Sequence, residues 1–413
     1  MKKIVLILLV ILVSGALYAT PEIGIPYMNK PTIDGKIDAN EWQGASRVAG
    51  FHLLGGRGPE PNKSVVYVGY DDDNFYLAYR FYGPDKPKGV DRGKSGPYWE
   101  DDSIEFFLNG DINQESYYQI IANCSGGFVV FGYNLGGLGD GNDMGGKAVD
   151  LDVEYKTYIS PAYPDLTASP DALWWEGEIS ISWKSLGYSP KEGDEGFLFL
   201  ARDNVYPVAY NSDYGFAVNN FFEKDKYPII HFLKDTVVAR MYEDIYSDFE
   251  IYNPTGEEKS IDIINKIIYD GKISETIKDT IKIPAGKKSE FSLKEKLPKS
   301  IFTLITEITE NGKVLQKTEN DIINIEMFSY NYDKEKDKII LNFDFTGFGI
   351  NKYPYVDLRL MNEDNMLDGF MINITEDKRQ QTIEVDMSKY EKGKYTLVCW
   401  IKGTVNIVET IKK

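Results

Sequence analysis

The chain has 413 residues, with 64 acidic against 46 basic side chains, a formal charge of −18, two cysteines and two histidines. Such a surface repels nucleic acid and anionic lipid, and two histidines exclude a His-rich zinc or copper site. Cys124 and Cys399 lie far apart, so no disulfide framework is expected and hydrophobic cores must hold the domains.

Lys2 and Lys3 precede an apolar run from Ile4 to Val13 and the small residues Ser14-Gly15-Ala16-Leu17-Tyr18-Ala19. This predicts a secretory signal peptide over residues 1–19 and an exported protein, periplasmic or extracellular. No other stretch reaches the ~20 apolar residues of a spanning helix, so no membrane span is expected.

Strand signals dominate the rest: short alternating runs rich in β-branched and aromatic residues, separated by Gly, Asn, Asp and Pro. Strands are predicted at 64–70, 74–81, 103–108, 117–123, 178–183 and 196–202, with the Gly-rich stretch 126–146 as a rim loop. The fold class is all-β. Residues 20–235 carry 33 acidic and 18 basic residues and five of the six tryptophans, whereas the remainder carries 31 and 26 and only Trp400. A boundary near 235 follows, and a second near 322–328, where 300–307 and 393–402 are taken as closing strands of two alike units. The predicted organisation is an N-terminal antiparallel β-sandwich, 20–235, and two smaller immunoglobulin-like β-sandwiches, 236–325 and 326–413.

Period-two alternation sorts side chains into faces. Ile104, Phe106 and Leu108 share one face, and Ser103, Glu105 and Phe107 the other, so Glu105 leaves the core. Gln119, Ile121 and Asn123 fall together, as do Tyr76, Ala78 and Arg80. A face offering Arg80, Glu105, Gln119 and Asn123, with Trp99 as a stacking platform, suits a sugar: aromatic rings cover the C–H face of a pyranose and planar polar groups bond its hydroxyls. Asp34-Gly35-Lys36-Ile37-Asp38 sets carboxylates about a tight turn, an arrangement suited to structural calcium or to an ordinary solvated turn. Ile179, Ile181 and Trp183 alternate inward, and Trp174 and Trp175 are taken as structural.

Residues 20–235 resemble the carbohydrate-binding modules of family 9, related to DOMON-like sandwiches. The resemblance rests on Pro31-Thr32-Ile33-Asp34-Gly35 with Asp38 and Trp42, on 68–77, on Trp99-Glu100-Asp101-Asp102-Ser103-Ile104-Glu105-Phe106-Phe107, and on Gln119 to Asn123. It continues through Trp175-Glu176-Gly177-Glu178-Ile179, Leu186-Gly187, and Gly193-Asp194 to Arg202-Asp203. It implies a sandwich fold, a non-catalytic sugar site at a chain end, and structural calcium near Asp34 and Asp38. Trp99 and Glu105 match a sugar-stacking tryptophan and a hydroxyl-binding glutamate; Phe221 or Phe222 stands where a second tryptophan is found. Ile121 and Leu200 stand where an Arg and a Gln are found, a departure that weakens the implied site.

Other classes stay open. A structural or protein-binding assembly protein would keep the fold without sugar binding, with the C-terminal modules as docking surfaces. A glycosidase would need two carboxyls across a cleft, drawn from Glu100, Asp101, Asp102 and Glu105. A haem-binding redox domain would draw on His52, Met144 or His231.

Overall fold

The computed structural model describes residues 20–55, 60, 62–83, 85–93, 96–135, 146–164, 170–205, 210–215, 217, 219–242, 247–269, 272–298, 301–323, 328–345, 355–362, 365–375, 377–401 and 405–413. The signal peptide predicted at 1–19 lies outside them, as does Met144. Among the described residues no helix is long and apolar enough to cross a membrane.

The chain is all-β. The first module runs through β1 (Glu22–Pro26), β2 (Ser46–Ala49), β3 (His52–Leu53), β4 (Ser64–Tyr70), β5 (Asn74–Tyr82), β6 (Ser103–Asn109) and β7 (Tyr117–Asn123). It continues through β8 (Phe128–Tyr133), β9 (Lys147–Ala148), β10 (Val153–Ile159), β11 (Trp174–Ser182), the one-turn α1 (Trp183–Leu186), β12 (Glu195–Asn204), β13 (Tyr210–Asp213) and β14 (Ile229–Leu233). One correction concerns β8, which occupies part of the predicted rim loop. Its residues Phe-Val-Val-Phe-Gly-Tyr have strand character, and pairing with β7 outweighs the glycines around them.

Two sheets face each other. One contains β1, β14, β12, β6, β7, β8 and β9 in that order, the other β10, β11, β5, β4 and β2. Between them lies a core that includes Ile25, Val68, Phe75, Leu77, Tyr79, Phe81, Ile104, Phe106, Leu108, Ile120, Trp175, Ile179, Ile181, Trp183 and Leu200. Burying such apolar area is the main favourable contribution to folding.

Both sheets continue into the next module, which comprises β15 (Val238–Met241), β16 (Asp248–Tyr252), β17 (Lys259–Tyr269), β18 (Lys272–Ile283), β19 (Lys288–Ser292), β20 (Ile301–Glu310) and β21 (Lys313–Ile323). β1 is parallel to β14 on one side and antiparallel to β21 on the other, with Glu22 opposite Lys317 and Ile23 opposite Gln316. β15 meets β2 in parallel through Arg240 and Arg47. The stretch 300–307 therefore does not close its unit: β21 follows it and joins the first module. A second core gathers Ala49 and Leu233 with residues from Val237 to Leu315.

The last module has one sheet of β22 (Phe328–Asp333), β23 (Lys338–Asp344) and β26 (Gln380–Asp386). Its other sheet holds β24 (Tyr355–Asn362), β25 (Asn365–Asn373), β27 (Lys394–Ile401) and β28 (Val405–Lys412), so 393–402 is likewise followed by another strand. Its core is separate, built on Ile339, Leu341, Val356, Leu358 and Leu397.

Candidate functional site

The face of β12, β6, β7 and β8 that turns away from the main core is itself largely covered. Register sets Ala201, Glu105, Ile121 and Val129 in one cross-strand row and Phe199, Phe107, Gln119 and Phe131 in the next. A second aromatic layer of Phe107, Tyr117, Tyr133, Phe199, Phe221 and Tyr227 packs here, with Phe222 half-buried at its side. Phe221 lies 5.7 Å from Phe199, and Phe222 5.3 Å from Phe107 and 6.0 Å from Tyr133.

A polar chain runs through this layer. Gln119 Nε2 donates to Glu105 Oε1 at 2.7 Å, and the Tyr133 hydroxyl donates to Gln119 Oε1. Glu105 is only 4% exposed. Burial first, and then the charge of Asp203, push its carboxyl well above the usual carboxylate range. Asp203 accepts from Ser103 Oγ at 2.9 Å and is pushed up to about 7, chiefly by burial.

Trp99 stands on a 3-10 turn, Tyr98–Glu100, that crosses the end of this face. Tyr98 is buried against Ile121 and Val129, the row that contains Glu105. Asp101 receives Arg92 and Asn123 Nδ2, and Asp102 receives the amides of Lys88 and Val205 at 2.7 and 3.0 Å. The turn is thus tied down on both sides while the Trp99 ring stays 47% exposed.

The structure brings together Glu105, Gln119 and Phe222, with Phe221 in the same layer, and sets Trp99 at the edge of that face. It separates from the face Arg80 and Asn123, assigned to it by alternation, and Leu200, set there by the resemblance. Arg80 lies on β5, in the opposite sheet, bonded to Glu176 at 2.7 Å with its guanidinium 4.7 Å from the Trp174 ring centre. Strand parity sorts faces within a sheet but does not say which sheet a strand joins. Asn123 is fully buried: its amide donates to Val90 O and Asp101, and its oxygen accepts from Ser125 and Gly127. It braces two loops and has no group left for a ligand. Leu200 points into the main core, and the β12 residue beside Glu105 is Ala201.

Asp34 Oδ1 accepts from Lys36 N and Asp38 Oδ1 from Asn40 N, each closing its own turn. The loop is anchored instead by Glu178, which accepts from the amides of Asp34 and Gly35 and from Trp42 Nε1 at 2.7 Å. Among the described residues no group of three or more His, Cys, Asp or Glu side chains is placed to hold a metal.

The remaining candidates have other work. His231 lies between Glu22 and Glu195, at 2.9 and 3.3 Å, and His52 is buried on β3. Tyr133 and Asp203 were missed by sequence reasoning. The Phe128–Tyr133 alternation was the available signal for Tyr133, and parity with Ala201 that for Asp203.

No protein-family model and no curated protein matches the sequence. Among solved structures, the chain is similar to a protein described as carbohydrate-binding from Bacteroides uniformis, with 14% identity over 51% of this chain and 99% of that one and a TM-score of 0.40. It is similar as well to a family 9 carbohydrate-binding module from Caldicellulosiruptor kristjanssonii. The structure of that module with cellotriose gives 15% identity over 52% of this chain and 94% of that one, TM-score 0.37. Its structure with glucose gives 16% identity over 52% and 96%, TM-score 0.35. This chain is similar to these β-sandwich modules over about half of its length.

Proposed function

We propose that this chain is an exported, non-catalytic carbohydrate-binding protein that holds a glycan, at a chain end, across the edge of the β6–β7 face. The observation that carries the reading is Trp99: a ring 47% exposed, on a turn fixed by buried partners, at the edge of an aromatic face threaded by Glu105, Gln119 and Tyr133. An anchored exposed ring offers stacking area at little entropic cost. The exposed carboxyl of Glu100, next to the ring on the same turn, offers acceptors for sugar hydroxyls. Phe222 supplies a second, half-buried ring on this face. The modules beyond residue 235 act as spacers or as surfaces for protein partners.

The deep burial of Glu105 and Gln119 favours a second reading, in which the polar chain braces the aromatic layer of an assembly module. Calorimetric titration of the full chain with glucose, cellotriose and a glycan array separates the two. A binding event that disappears in Trp99→Ala and in Glu105→Ala, both folded by circular dichroism, supports the sugar site, whatever binding persists elsewhere on the chain. No binding to any glycan supports the bracing role.

A further inference from the structure

A second concave site lies where the chain passes from β14 into β15, far in sequence from Trp99. A cleft of about 300 Å³ opens there between the end of β1, the 3-10 turn Glu41–Gly44 and the end of β16. This is the lower end of the range for small-molecule pockets, about 300–1,000 Å³.

Its walls are fixed by backbone contacts. Tyr27 N donates to Leu233 O and Met28 N to Tyr70 O, both at 2.8 Å. Gly44 lets the 3-10 turn approach closely, since a Cβ there would stand 3.2 Å from Met28 Cβ. Asp235, at the crossing between the modules, is held in the left-handed region at φ 51°. Asp tolerates that region, which fits the tight turn the chain makes here.

The charged groups at the cleft are already engaged in part. Glu41 accepts from Thr32 N and Oγ1 at 3.2 and 2.8 Å, and Lys234 Nζ sits 4.3 Å over the Tyr27 ring. The carboxamides of Asn29 and Asn40, both exposed, and of Gln43, half-buried, line the cleft and make no hydrogen bond to any of the described residues, so they face the solvent that fills it. Each offers donors and an acceptor together, the complement of a hydroxyl group. We propose that this seam binds a neutral, hexose-sized polyhydroxylated ligand, a monosaccharide or the last unit of a glycan, through Asn29, Asn40 and Gln43, independently of the Trp99 face.

The test is calorimetry on the full chain carrying Trp99→Ala, titrated with D-glucose, D-galactose, D-mannose and cellotriose up to high millimolar concentration. Binding of at least one sugar is expected, weakened at least about tenfold when Asn29→Ala and Gln43→Ala are added. The thermal midpoint should stay unchanged, because neither side chain supports the fold. In the parent, Asn29→Ala with Gln43→Ala leaves Trp99-dependent binding intact. No binding of any of the four sugars by the Trp99→Ala chain, or binding that survives the loss of both carboxamides, overturns the proposal. Either result leaves the reading of the Trp99 face to its own titration.

Discussion

Gln119 Nε2 donates to Glu105 Oε1 across neighbouring strands, and both side chains are nearly sealed from water although they point away from the main core. The amide is therefore a buried donor whose one partner is a carboxyl group inclined to stay protonated.

Glu105→Gln is expected to change stability by less than about 1 kcal/mol, since an amide imitates the neutral acid. Glu105→Ala leaves Gln119 Nε2 without its acceptor and costs about 1–3 kcal/mol. Trp99→Ala, at an exposed ring, stays within about 0.5 kcal/mol. Urea unfolding measures all three, and an Ala variant at 105 as stable as the parent would refute the pairing.

Stability is expected to fall as the pH rises from about 4.5 to 8. Burial pushes Glu60, Glu178 and Asp203 up to about 7. Each keeps its proton in the folded chain where the unfolded chain has lost it, so the stabilisation is fully present below about 4 and is lost through pH 7. Glu22 has the opposite sign: its hydrogen bond to His231 draws it down to about 2, so its contribution is complete above about 4.5 and fades only in stronger acid. Calorimetric midpoints should therefore be higher near pH 5 than at pH 8, and Asp203→Asn should flatten the decline. A midpoint that rises over this interval contradicts the assignment.

Gly24→Ala should loosen the join between the first two modules. A Cβ at Gly24 would lie 2.5 Å from Leu233 Cδ1 and 2.6 Å from Leu315 O, and the second of these is backbone. Strand β1 can relieve the clash only by moving away from β21. A cost of about 1–3 kcal/mol is expected. Protease cleavage between residues 234 and 247 should also quicken, and unaltered cleavage would argue that the sheets are not joined there.

Cys124 should be unreactive in the folded chain. It is a free thiol packed in the main core, and burial followed by the charges of Asp102 and Asp101 pushes its pKa up. The thiolate is the reactive species. In a Cys399→Ser chain, a thiol reagent should label Cys124 only at the rate of unfolding; rapid labelling of the native protein would count against the packing described.

Strand alternation was legible residue by residue: Ile104, Phe106 and Leu108 face the main core while Glu105 and Phe107 do not, as period two requires. Ile179, Ile181 and Trp183 likewise turn inward. The direction of a side chain along a strand is a local property, so a short run of residues suffices to read it. Neighbours across sheets are a different matter. Arg80 joined the opposite sheet, Asn123 was consumed by two loops, and Phe107, the neighbour of Glu105, was covered by the rings of Phe222 and Tyr227, more than a hundred positions away. The pairing of β1 with both β14 and β21, which carries the sheets past residue 235, has the same character. Such contacts form between segments distant in the chain, and their register follows from how whole faces pack rather than from the pattern within either segment.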